Sequence, residues 1–74
     1  MLCHLKTILA VVGLSQQQLA EQIGCSRNTI TAWTRQGAPP RLDYAWATVD
    51  EVNQAAARKG IDKRWQLEDI WDKS

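Results

Sequence analysis

Residues 15–33 constrain this chain more than any other stretch, because they fix two short helices and the angle between them. The first backbone N–H groups of any helix lack an intrahelical partner and need side-chain acceptors. Ser15 is placed to cap one helix, Gln18 stands three residues on to complete a capping box, and Leu14 and Leu19 bracket the pair as a hydrophobic staple. Ser26 repeats the device for a second helix, with Cys25 and Ile30 at the staple positions and Thr29 where the box has Glu or Gln. Gly24 lies between them, where a chain leaving a helix adopts a left-handed conformation that glycine reaches at little cost.

Inside this unit Leu19, Ala20, Ile23, Ile30 and Trp33 recur at inward-facing spacings, and Ala20 is small enough for the two helices to approach closely. The outer face of the second helix then carries Arg27, Asn28, Thr31, Ala32 and Arg35. Arg pairs bidentately with guanine and Asn with adenine in a major groove, and Thr and Ala touch a thymine methyl. A cation in the first turn of a helix opposes the helix dipole, which favours a functional reason for Arg27 over a merely solvated one.

The stretch resembles the Cro and lambda-repressor type of helix-turn-helix, in Gln16, Ala20, Gly24 and Ile30 at the family spacing and Trp33 late in the second helix. The resemblance implies an all-α fold, a compact bundle of about five helices. It also implies binding to double-stranded DNA, with Gln16 on a phosphate and Arg27, Asn28, Thr31 and Ala32 facing bases. Gly60, Ile61 and Trp65 are similar to a Gly-aliphatic-x-x-x-Trp pattern in family members. After Trp33 the chain departs from the family, running Thr34-Arg35-Gln36-Gly37-Ala38-Pro39-Pro40. Arg35 and Arg41 flank its Gly-Pro loop and either clamp phosphates or pair with acidic residues of the helix that follows.

Length and charge bound the rest. Seventy-four residues make one domain, 1–74, with a motif at 16–35. A core of that size contributes only about 3–5 kcal/mol, so dimerisation is an expected source of further stability. With 45% apolar and 23% charged residues the chain is globular, not disordered. The net charge is only +1, yet residues 1–41 carry Lys6, Arg27, Arg35 and Arg41 against Glu21 (+3), whereas residues 42–74 carry five basic against seven acidic groups (−2). The basic half holds the motif, and so few cations predict a shallow salt dependence of DNA binding.

Elsewhere the periodicity predicts three helices. Leu2, Leu5, Ile8, Leu9 and Val12 give an amphipathic helix over 2–12 ending at Gly13. Asp43 is expected to cap a helix over 43–59, with Leu42, Ala45, Trp46, Val49, Val52 and Ala56 on its apolar face and Gly60 at its end. Asp62 caps a last helix, 62–72. Trp33 and Trp46 are expected in the core. Four tryptophans exceed what one small core covers, so Trp65, Ile70 and Trp71 are assigned to a dimer interface.

No catalytic constellation is present: Ser15 and Ser26 are caps, His4 has no predicted partner, and Asp50-Glu51 and Glu68-Asp69 do not converge. Two cysteines and one histidine make a zinc site improbable on spacing, and no cofactor is expected. Cys25 is expected as a buried thiol behind the turn. The apolar run Ile8–Leu14 lacks a cleavage pattern and is too short to span a bilayer, which implies a cytoplasmic chain. Two functions follow: a repressor of the phage Cro type that binds a palindromic operator as a dimer, or an antitoxin-like module whose C-terminal residues hold a partner protein while it represses its own promoter.

Overall fold

A computed structural model describes residues 2–72. In chain order the elements are strand β1 (Leu2–Cys3), helices α1 (Leu5–Val12), α2 (Gln16–Ile23), α3 (Arg27–Gln36), α4 (Leu42–Arg58) and α5 (Leu67–Ile70), and strand β2 (Trp71–Asp72). The protein is therefore mostly helical, with the helix-turn-helix at its centre and a two-stranded ribbon as a minor addition.

Local chemistry forms the motif as its sequence dictates. The Ser15 hydroxyl accepts from the Gln18 N–H at 3.0 Å while the Gln18 side-chain oxygen accepts from the Ser15 N–H at 2.9 Å. Ser26 accepts from the Thr29 N–H at 3.2 Å, and the two hydroxyls lie 3.0 Å apart, so Thr29 supports the cap through its oxygen where a Glu or Gln would reach the backbone. Gly24 has φ +79°, and the N–H groups of Gly24 and Cys25 both close on the Ala20 carbonyl, at 2.9 and 3.0 Å.

The core is shared by all five helices and the ribbon. Leu5 and Val12 of α1, Leu19 of α2, Ile30 of α3, Val52 of α4 and Ile70 of α5 are each fully or nearly fully buried. Trp33 is in the core as expected, meeting Trp71 edge-to-face with centroids 5.6 Å apart and Tyr44 at 6.4 Å.

The structure corrects the sequence reading at both ends. The first helix begins at Leu5, not Leu2, because Leu2 and Cys3 pair antiparallel with Asp72 and Trp71, and the His4 N–H donates to the Ile70 carbonyl at 2.7 Å. The expected helix 62–72 shrinks to α5. The buried amide of Asn53 takes both backbone groups of Trp65, accepting its N–H at 2.8 Å and donating to its carbonyl at 3.0 Å, so that residue cannot contribute to a helix ladder. Asp62 is consequently not a cap; the Asp69 carboxylate instead accepts the Gln66 N–H at 2.7 Å at the start of α5.

The expected helix 43–59 is α4, which starts one residue earlier. Arg41 occupies its N-cap position and Asp43 lies in its first turn, accepting the Tyr44 N–H at 2.9 Å. Trp46 and Leu42 are not core residues: they are 53% and 67% exposed. The buried stripe runs through Ala45, Thr48, Val49, Val52 and Ala56, and both large side chains fall beside it.

Trp65, Ile70 and Trp71, assigned to a dimer interface, are 6%, 0% and 5% exposed within a single chain. Their apolar surface is already covered by the chain itself, so they are not free to form one. The extended path of residues 61–66 and the ribbon bring all three inward.

Candidate nucleic-acid interface

The first turns of α2 and α3 open onto a common cleft of about 480 Å3, lined by Lys6, Gln16, Arg27, Asn28, Thr31, Thr34 and Arg35. Two capped helix starts and the outward face of α1 thus converge on one surface. The helices are held there by their buried faces, Leu19 and Ala20 in α2 and Ile30 and Trp33 in α3, so the polar faces point away from the core.

Three of the lining residues are cations and none is acidic. The side chains of Lys6, Arg27, Asn28 and Arg35 make no hydrogen bond or ion pair among the described residues. Positive charge without a carboxylate nearby, beside unpaired N–H groups of two helix starts, is an arrangement for anionic oxygens. Thr31 is half-buried and its hydroxyl donates to the Arg27 carbonyl at 3.1 Å, which leaves its oxygen to accept and its methyl to make apolar contact. Thr34 donates in the same way to the Thr31 carbonyl at 3.3 Å.

Five of the residues singled out in the sequence, Gln16, Arg27, Asn28, Thr31 and Arg35, meet in this cleft, and two do not. Ala32 is half-buried and does not line it. Arg41 stands apart: its guanidinium pairs with the Asp43 carboxylate at 2.9 Å and lies over the Tyr44 ring, 5.0 Å from the centroid. That ion pair is solvent-exposed and weak, but it is the acidic pairing, not the clamp, that the structure contains.

A family model described as helix-turn-helix matches residues 5–47. The chain belongs to the Cro/lambda-repressor type of helix-turn-helix family. The match spans α1 to the first turns of α4, and so takes in every element that lines the cleft. The helix-turn-helix protein is accordingly a DNA-binding transcription regulator. No individual curated protein matches it.

Lys6 and Thr34 are the cleft residues that sequence reasoning missed. Lys6 stands on the polar side of α1, opposite Leu5, Ile8, Leu9 and Val12. Periodicity gives that outward direction but not which neighbour it faces. Replacing Lys6 with Gln is expected to weaken binding by a similar factor on every duplex and to lower the salt slope by about 0.9, the loss of one phosphate contact. Titrations of labelled DNA at several salt concentrations read both quantities.

Both cysteines are free thiols, and burial pushes the Cys3 and Cys25 thiols above their ordinary range, which keeps them protonated and poorly nucleophilic at neutral pH. Cys25 is half-buried against the core, less enclosed than expected of a plug behind the turn. No group of three or more potential metal ligands occurs among the described residues, and no helix there is long and apolar enough to cross a membrane.

Proposed function

We propose that the helix-turn-helix protein is a repressor of the phage Cro type, binding a palindromic operator as a dimer in the cytoplasm. The observation that carries this reading is the uncompensated basic cleft at the start of α3, with Arg27 and Asn28 exposed on the helix that would enter the major groove. In this reading Arg27, Asn28, Thr31 and Ala32 face base edges, while Gln16, Lys6 and Arg35 hold phosphates and fix the register. Arg41 is left out of the clamp because it does not line the cleft.

Two copies supply what one lacks. A ten-residue helix is about 15 Å long and touches only a few base pairs, whereas a two-fold dimer sets two such helices about 34 Å apart on successive major grooves. Repression then needs no effector domain, since an occupied operator excludes polymerase. The alternative, an antitoxin-like module, drew its support from Trp65, Ile70 and Trp71 as a partner-holding surface, and these lie in the core.

Selection of bound sequences from random duplex DNA tests the proposal. The expected outcome is an inverted repeat with half-site centres about 10 base pairs apart. A bound pool indistinguishable from the input would rule out sequence-specific repression.

A further inference from the structure

Charge along the sequence gives the basic character to residues 1–41, yet Arg58, Lys59, Lys63 and Arg64 cluster where α4 ends. Folding carries one of them to the motif. The turn after α4 is closed twice, by the Gly60 N–H on the Ala57 carbonyl at 3.1 Å and the Ile61 N–H on the Ala56 carbonyl at 2.9 Å, so the backbone beneath Lys59 is fixed. From there the exposed Lys59 side chain reaches the turn between α1 and α2, where its Nζ and Cε occupy the space that a Cβ on Gly13 would need. Its ammonium makes no hydrogen bond or ion pair among the described residues.

Gly13 places that ammonium relative to the basic cleft. It follows Lys6 by two turns of helix, so the two Cα atoms lie on one side of α1, about 10 Å apart. Between them that side carries exposed Ala10, and α1 has no carboxylate to compete for a cation. Gln16, which also lines the cleft, comes three residues after Gly13, within about 11 Å along the chain. One DNA strand carries a phosphate about every 3.4 Å of axis, so a strand lying on Lys6 and Gln16 presents further phosphates within reach of Lys59.

We propose that Lys59 is a DNA-backbone contact, holding a phosphate over the α1–α2 turn, beyond the cleft. The inference rests on the cleft as the DNA interface and extends that interface to the end of α4. A purely structural role has a different signature. A cation beside the carbonyl ends of α1 and α4 is favoured by their dipoles, and its loss lowers the melting temperature without changing how DNA binding responds to salt.

Fluorescence anisotropy of a labelled duplex of mixed sequence, titrated with the full chain at about 50 to 200 mM salt, tests the contact. Lys59→Gln is expected to make the slope of log affinity against log salt shallower by about 0.9, so that its deficit against wild type narrows about 3.5-fold across that range. Lys59→Arg should keep the wild-type slope. So should Arg64→Gln, which removes the same charge from a separate depression that Arg64 lines with Asp62. A wild-type slope in Lys59→Gln overturns the proposal, whatever the melting temperature does. An equal change in Arg64→Gln overturns it too, by making the effect one of net charge, as does a Lys59→Arg variant that behaves like Lys59→Gln. Lys6→Gln measured alongside separates the two readings: a change there without one in Lys59→Gln overturns the Lys59 contact alone, and the reverse overturns the cleft.

Discussion

Replacing Asn53 with Leu is expected to cost about 2–5 kcal/mol, the penalty for leaving two buried backbone groups unpaired. The amide of Asn53, 8% exposed, satisfies both the N–H and the carbonyl of Trp65 across twelve residues of chain. Without it the extended segment 61–66 loses its anchor to α4, and with it the positions of Trp65, Ile70 and Trp71 in the core. A domain of this size has only about 3–5 kcal/mol to lose, so the variant should be largely unfolded at room temperature. Urea denaturation followed by tryptophan fluorescence reads the change directly.

Asn53→Asp isolates the donor half of this clamp. Its carboxylate still accepts the Trp65 N–H but faces the Trp65 carbonyl, and burial together with that carbonyl raises its folded-state pKa above the unfolded value of about 3.9. A raised folded pKa gives stability that is present below the unfolded pKa and lost as pH rises through the folded one. The stability gap between wild type and Asn53→Asp should therefore be smallest in acid and widen towards neutral pH. A gap independent of pH would show that the Asn53 amide does not donate to Trp65.

Arg27→Ala is expected to weaken specific binding by about 1–3 kcal/mol per protomer, roughly 5- to 150-fold in Kd, and to relax preference at one position of each half-site. Arg27 is exposed, lines the basic cleft and has no carboxylate partner among the described residues, so its loss should leave the fold intact. Gel shifts on a series of single-base operator variants distinguish its roles. A loss confined to one base pair identifies a reader, whereas the same loss on every variant makes Arg27 a phosphate contact like Lys6.

The helix-turn-helix was legible in the sequence because its determinants are local. Ser15 with Gln18 and Ser26 with Thr29 act within four residues, and Gly24 closes a turn on Ala20. The cleft inherits that legibility wherever its residues ride on α2 and α3, as Gln16, Arg27, Asn28, Thr31 and Arg35 do. Lys6 enters from α1, which is not contiguous with the motif, and only packing through Leu5, Ile8, Leu9 and Val12 turns it towards the cleft.

The C-terminal segment, residues 61–72, escaped for the same reason. Its spacing suits a helix, but one buried amide on α4 holds Trp65 extended and a two-residue strand at the other end of the chain captures Trp71 and Asp72. Nothing within residues 61–72 announces either partner. Trp46 shows the converse: an aromatic beside an apolar stripe reads as core in a linear pattern and is half-exposed once the helix is placed.

The pairing of Leu2–Cys3 with Trp71–Asp72 also sets a schedule for biosynthesis. The first strand emerges 70 residues ahead of its partner, an interval of about 4–14 s at ordinary translation speeds. Until then α1 to α4 have no Ile70 or Trp71 to pack against, and the core stays open on the side that the ribbon will close. A stalled ribosome holding the chain short of Ile70 would thus display a motif with capped helices but an incomplete interior, a state in which chaperone binding should be strongest.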